Sequence, residues 1–483
     1  MPLPGHRIAV FHWRVVGGMP RILVLGGGVI GLSTAMMLAE LGHDVTVFER
    51  DSEPVPRSPD EAWHSWERRG VAQFRQPHFL QAATRHLLDR HLPGVKQELL
   101  DAGCLTFDVS TLVPPSIGDR GRRAGDERFV TVTGRRVTIE YAVARAAQRT
   151  LPILRGVSVT ELLTGPPAAN GVPHITGVRT MDREEIAADL VVDAMGRRSK
   201  LPDWLEAVGA RRPIEEAEES GFLYYTRFFR STTKQLPACR SGLLTHFHSF
   251  SLLTLPGDSH TWSTTVFVFS GDPVMKTLRD TDRWTALVAA CPLHAHWLDG
   301  EPISGVLPMG GVADRYRRFV ADGTPVATGI VSVGDSWACT NPVGGRGISM
   351  GLMHAVGTVE VIQAHFDDPL ALALAHDTMT ETRVTPWYRN TVEFDRKRTA
   401  QIHAAIQGRT IPRPTDPADL LPIAMMYDAD LFRAGAEIFS LLSLPRDVLT
   451  RPGVSERIME LVAAHPAAQP PGPSRDEVIR MLA

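Results

Sequence analysis

The chain has 483 residues, 43% of them hydrophobic and 22% charged, and a net charge of −3. That length exceeds one simple core and implies two joined domains plus a tail. The balanced charge gives no electrostatic reason to expect nucleic acid or an anionic membrane, and no apolar run is long enough for a transmembrane segment.

Residues 1–18 fail as a signal peptide, because His12 and Arg14 interrupt their apolar run. They are expected to form a disordered extension ahead of a cleaner start at Met19. Arg21–Leu25 reads as a buried strand, 29–41 as a helix, and Val45, Val47 and Phe48 as a second strand ending at Glu49 and Arg50. That is one βαβ start. A helix-rich stretch over 77–101 is broken at Pro93-Gly94, and 111–128 reads as a loop. Residues 141–149 form a predicted helix, 157–162 a strand leading into a small ribbon, and 190–193 another buried strand. From 222 the pattern changes to long antiparallel strands over 222–230, 247–255 and 262–269, the last two joined by Pro256-Gly257-Asp258. A buried strand returns at 330–333, and a glycine-rich turn opens a helix near Ile348. The remainder is predicted helical, with breaks at 411–416 and 444–452 and a mobile Pro-rich stretch at 466–474. Cys104, Cys239, Cys291 and Cys339 show no CxxC or metal-ligand spacing and suit a reducing cytoplasm.

The chemistry starts at Gly26-Gly27-Gly28-Val29-Ile30-Gly31, a GxGxxG pattern set between the first strand and helix. Gly26 permits the tight turn, Gly28 lets a pyrophosphate approach the backbone, and Gly31 lets helix and strand pack closely. The diphosphate would lie at the helix start, near Val29 and Ile30, where unpaired N–H groups and the dipole favour anions. Glu49, ending the second strand beside Arg50, would accept hydrogen bonds from an adenosine ribose. This fingerprint serves NAD and FAD alike.

Later segments resemble motifs of one flavoprotein group. Val191-Val192-Asp193-Ala194-Met195-Gly196-Arg197-Arg198-Ser199 resembles the Asp-Gly region of flavin-dependent monooxygenases. Val331-Ser332-Val333-Gly334-Asp335 resembles their Gly-Asp motif, and Pro342-Val343-Gly344-Gly345-Arg346-Gly347, running into Ile348, their Pro-x-x-Gly-x-Gly loop. Arg68-Arg69-Gly70-Val71-Ala72-Gln73 is similar to an Arg-x-Gly-Val segment. The wording is closest to squalene-epoxidase-like and polyether-epoxidase-like enzymes of the para-hydroxybenzoate hydroxylase fold group. Asp193 and Gly196 are not adjacent here, and Gln76 stands where that branch often has a histidine. Trp63-His64-Ser65-Trp66 departs from the flavin-halogenase signature.

The resemblance implies an α/β fold: a Rossmann-type FAD-binding domain over 19–212 and 301–365, an inserted antiparallel substrate-domain sheet over 213–300, and a helical C-terminal region over 366–483. It implies that Asp335 binds the ribityl and diphosphate part of FAD and that Pro342, Gly344, Gly345, Gly347 and Ile348 border the isoalloxazine. Arg68 would neutralise the phosphate, Gln73 and Arg136 would lie near FAD, and Val157 would meet the adenine through its backbone. It also implies a monooxygenase that forms a flavin C4a-(hydro)peroxide from O2, with NAD(P)H or an external flavin reductase as electron donor. A small hydrophobic substrate would lie over the sheet, with Tyr224 and Arg227 as candidate contacts. The alternatives are an alkene reductase resembling geranylgeranyl reductase and a non-catalytic flavin-binding protein. No metal site is expected, since His294 and His296 lack a third ligand, and Ser336 and Ser349 lack a nucleophile-elbow context.

Overall fold

Runs of β-branched and aliphatic residues without charge, such as Ile22-Leu23-Val24-Leu25, make strands that must be covered on both faces. A computed structural model, describing residues 19–168, 171–410, 414–465 and 469–483, shows how this is done. The expected extension over 1–18 lies outside the described residues. Five parallel strands run in the order Ile330–Ser332, Leu190–Asp193, Arg21–Leu25, Asp44–Glu49 and Ile153–Arg155. Alternation sends Ile22 and Val24 into a helical layer formed by Val29–Glu40, Arg136–Gln148 and Gly347–His365. Leu23 and Leu25 face the other way, onto a three-stranded ribbon led by Val159–Thr164 and Ile175–Thr180 and the helix Leu201–Ala207.

The second sheet is antiparallel, in the order Leu244–His246, Phe250–Pro256, Thr261–Phe269, Phe222–Arg230 and Glu301–Pro302. Leu307–Met309 also pairs with Phe222–Arg230, setting Met309 opposite Tyr224, so the sheet recruits strands beyond residue 300. Its outer face carries Tyr225, Phe229, Trp262 and Val266 against Trp284 and Leu287 of the helix Thr281–Ala289 and Val478 of the terminal helix Arg475–Leu482. Its inner face carries Tyr224, Thr226 and Phe228 and looks toward the parallel-sheet domain, where Phe228 meets Trp63 edge-on at 5.0 Å. The buried pair Arg135–Asp258, 2.6 Å apart, ties the hairpin of this sheet to that domain.

The C-terminal helices close the molecule. Arg398 of the helix Thr385–Ile406 donates to the carbonyls of Phe247 and Phe250 at 2.7 and 2.8 Å, pinning that helix to the platform. Two boundaries differ from expectation at prolines. Pro445 starts the helix Pro445–Leu449 inside the predicted break over 444–452, because proline fits the first helical position, where its missing N–H costs nothing. Ser474, at the end of the Pro-rich stretch, closes a capping box on Arg475–Leu482; residues 466–468 of that stretch and 411–413 of the other break lie outside the described residues. The predicted helix over 141–149 is longer, Arg136–Gln148.

Candidate cofactor site

The strand Arg21–Leu25 ends in a turn that only glycine makes. Gly26 has φ +110°, and a Cβ there would stand 2.5 Å from the Ala194 carbonyl. A Cβ on Gly31 would stand 2.0 Å from the Gly26 carbonyl, so its absence sets the helix against the strand. A Cβ on Gly28 meets nothing within 4 Å, because Gly28 faces open space. The helix it opens, Val29–Glu40, has no side-chain cap and no acid in its first turn, which leaves its first N–H groups directed at that space.

The space is a cavity of about 360 Å³ running the length of the domain. Gly26, Gly28, Val29, Ile30 and Gly31 border it, as do Glu49, Arg50, Gln73 and Val157. Glu49 is buried and already engaged: Gly27 N–H donates to it at 2.9 Å, Asp51 N–H at 2.9 Å and Arg68 at 2.8 Å. Its remaining lone pairs are free to accept from a ribose. Arg68 borders the cavity, and four of its N–H groups go to Glu49, to Asp51 at 3.1 Å, to Glu140 at 3.4 Å and to the Gly27 carbonyl. Arg68 thus holds the Glu49 carboxylate in place at the cavity wall. Arg136 is bound to Glu140 at 2.9 Å and donates to His78 Nε2 at 3.2 Å. His78 Nδ1 then donates to the Gln76 carbonyl at 3.1 Å. Burial and Arg136 push the His78 pKa down to about 3, so the ring is neutral.

Asp193 does not border the cavity. It is fully buried, accepts from Ser199 Oγ at 2.6 Å and Met195 N–H at 3.0 Å, and burial pushes its pKa up to about 6. It shapes the turn between strand Leu190–Asp193 and Arg197, with its side chain turned inward, away from the cavity. Gly334 also lies behind the wall, with φ +65°, where a Cβ would crowd Ile30 at 3.1 Å. Asp335 does border the cavity. Burial pushes its carboxyl pKa up and the nearby Arg197, Arg136 and Arg315 pull it down.

At the far end lies the 342–347 loop. Pro342, Gly345, Gly347 and Ile348 border the cavity, while Gly344 turns its carbonyl outward to accept from Gln81 at 3.2 Å. A Cβ on Gly347 would meet nothing within 4 Å, and Gly347–His365 begins with no side-chain cap and no acid in its first turn. Arg346, which was not singled out from the sequence, borders the cavity as well. The platform contributes Met309, beside Tyr224 in register. Tyr224 donates to Asn341 Oδ1, and Thr226 donates to Gln76 Oε1 at 3.0 Å. Arg227, three positions along the strand from Tyr224, points to the opposite face. It donates to Thr285 at 3.0 Å and lies over the Phe229 and Trp284 rings. It is removed from any substrate surface that Tyr224 shares. His294 and His296 turn to different partners, Thr245 and the Ala238 carbonyl, and no group of three potential metal ligands gathers among the described residues.

An elongated cavity with an uncapped helix start at each end, bare glycines facing inward and an acid at the ribose position fits an FAD molecule laid between them. Comparison with known proteins agrees. A family model described as FAD dependent oxidoreductase matches residues 21–56. Protein Rv3254 of Mycobacterium tuberculosis is 31% identical over 364 residues, which are 71% of this chain and 73% of that protein. PqsL of Pseudomonas aeruginosa, described as a probable FAD-dependent monooxygenase, superposes with TM-score 0.56 at 16% identity over 80% of this chain and 100% of PqsL. The Diels-Alderase PyrE3 superposes with TM-score 0.55 at 16% identity over 93% of this chain and 82% of its own. These two likenesses establish the fold. No helix among the described residues is long and apolar enough to cross a membrane. The chain belongs to one family with protein Rv3254 of Mycobacterium tuberculosis, and its nucleotide-binding start is that of an FAD dependent oxidoreductase.

Proposed function

We propose that the protein inserts one oxygen atom of O2 into an electron-rich carbon of a largely hydrophobic small molecule, by hydroxylation or epoxidation. The observation that carries this reading is the single cavity onto which Gly28, Glu49, Asp335 and the 342–347 loop all open. Bound FAD supplies the redox chemistry, and its electrons come from NAD(P)H or from a separate flavin reductase in a reducing cytoplasm.

The chain itself binds, orients and excludes water. Gly28 and the start of Val29–Glu40 receive the diphosphate, Glu49 the ribose, and Asp335 the ribityl and diphosphate groups. The uncapped start of Gly347–His365 presents N–H groups and the positive end of its dipole to negative charge at the ring. His78, neutral with its proton on Nδ1, cannot add a second cation beside Arg136. On the platform side, Tyr224 and Thr226 are anchored by Asn341 and Gln76, which fixes the inner face of the sheet toward the cavity domain.

The test is to purify the protein, record its visible spectrum, and mix it anaerobically with NADH, NADPH or reduced flavin. Turnover under labelled O2 should then place one labelled atom in the product. A colourless protein that cannot be reconstituted with FAD removes the whole reading. Unlabelled product from the true substrate, with water exchange ruled out, removes oxygen insertion and leaves FAD binding standing.

A further inference from the structure

Behind the 342–347 loop lies a carboxyl group that neither the fingerprint nor the loop uses. Asp395, on the helix Thr385–Ile406, is 2% exposed, and no charged donor among the described residues hydrogen-bonds its carboxyl oxygens. The groups facing it come from three other elements. Asn341, itself 1% exposed, is beside it with Nδ2 unpartnered, its Oδ1 taken by the Tyr224 hydroxyl and its backbone N–H by Asp314 at 2.6 Å. Asp314, on Ala313–Arg318, is a second buried carboxyl. Arg346, in the loop, is the cation that acts on Asp395. On the same helix, Arg398 turns away to the Phe247 and Phe250 carbonyls.

Arg346 is as short of ionic partners as Asp395. It donates through Nη1 to Asn390 Oδ1 at 2.8 Å and Thr391 Oγ1 at 3.2 Å, both neutral, and makes no ion pair among the described residues. Yet it borders the cavity. A buried carboxyl with no charged donor and a second carboxyl for a neighbour keeps its proton, since ionisation would strand a charge in a low dielectric. Burial first, then Asp314, pushes the Asp395 pKa well above the ordinary carboxylate range, with Asn341 and Arg346 opposing.

Resting on the reading that the cavity holds FAD, we propose that Asp395 is a positioning residue of the flavin site. Kept as a neutral acid between the Thr385–Ile406 helix and the 342–347 loop, it leaves the Arg346 guanidinium unpaired and free to meet negative charge in the cavity. An ionised Asp395 would instead pair with Arg346 and cancel that charge.

Two measurements test this, the first independent of flavin. Infrared difference spectra of wild type minus Asp395→Asn at neutral pH, with or without FAD, should show a protonated-carboxyl band in the wild type that the variant lacks. Should Asp395→Asn fold poorly, Asp395→Leu supplies the same subtraction. The second is the midpoint potential of the bound flavin. Arg346→Gln should lower it, disfavouring the reduced form at least tenfold, whereas Asp395→Asn should match the wild type within twofold at neutral pH. Raising pH through the Asp395 titration should move the wild type, but not Asp395→Asn, toward Arg346→Gln. The absence of a lost carboxyl band, or an Arg346→Gln potential equal to wild type, overturns the proposal. A protein that binds no FAD removes the functional reading while the infrared result still decides the state of Asp395.

Discussion

The Arg68 guanidinium donates to Glu49 at 2.8 Å across the back of the glycine turn, with both side chains removed from bulk solvent. Asp51 and Glu140 complete a ring of three carboxylates about one cation. The relationship makes the carboxylate at the cavity wall dependent on an arginine nineteen residues further along the chain.

Arg68→Met should therefore cost more than a cofactor contact. Removing one partner of a buried ion pair typically destabilises by about 3–5 kcal/mol, and here three carboxylates lose their counter-charge. Urea unfolding of the apo chain should report the loss directly. Unchanged stability, with only FAD affinity reduced, would show that Arg68 acts on phosphate after all.

Gly28 and Gly31 should separate binding from folding. A valine at 28 projects into open cavity and should leave a folded, colourless protein. A side chain at 31 meets the Gly26 carbonyl and should disrupt the helix–strand contact itself. Circular dichroism and flavin content, measured on both variants, distinguish the outcomes; a yellow Gly28→Val would place the diphosphate elsewhere.

Asp335→Ala should weaken FAD binding by roughly 10- to 150-fold, the worth of one charge-assisted hydrogen bond of about 1.5–3 kcal/mol. Flavin fluorescence titration measures it. An unaltered dissociation constant would remove Asp335 from the ribityl contact.

Asp193 should leave a mark on stability against pH. Its folded pKa, raised from 3.8 to about 6, means that the native state holds this proton more tightly than the unfolded chain. Its contribution is complete below about pH 4 and is lost as pH rises toward and past 6, amounting to about 3 kcal/mol. The difference between wild type and Asp193→Asn in urea unfolding should slope across that window and flatten above it. A flat difference throughout would mean that Asp193 titrates as an ordinary carboxyl.

The two faces of Phe222–Arg230 should behave differently in turnover. Tyr224→Phe loses a neutral hydrogen bond to Asn341 and should lower kcat/KM by roughly 2- to 12-fold. Arg227→Ala acts on the outer face and should stay within about twofold. A larger loss at Arg227 than at Tyr224 would put the substrate on the wrong side of the sheet.

The nucleotide-binding half was legible in the amino-acid sequence because its requirements are local. A turn at positive φ needs Gly26, close helix–strand packing needs Gly31, and alternation along a strand needs Ile22 and Val24 on one face and Leu23 and Leu25 on the other. The order of the three flavin motifs was equally open to reading, since each is a short strand–turn–helix unit. What lay beyond reach were pairings across long stretches of chain. Arg68 meets Glu140, 72 residues on, and nothing local in the sequence signals that the two are neighbours. Asp193 ends the strand Leu190–Asp193 and Asp335 lies in the turn after Ile330–Ser332, and only the packing of Ser199 and Met195 turns the first inward while the second faces the cavity. Asp395 acts electrostatically on Arg346 across 49 residues of chain, brought toward it by a helix whose sequence carries no sign of that neighbour. Burial and the distances between charges are properties of the assembled molecule, so backbone requirements could be read from the residues while the ionic wiring of the site was decided by the tertiary structure.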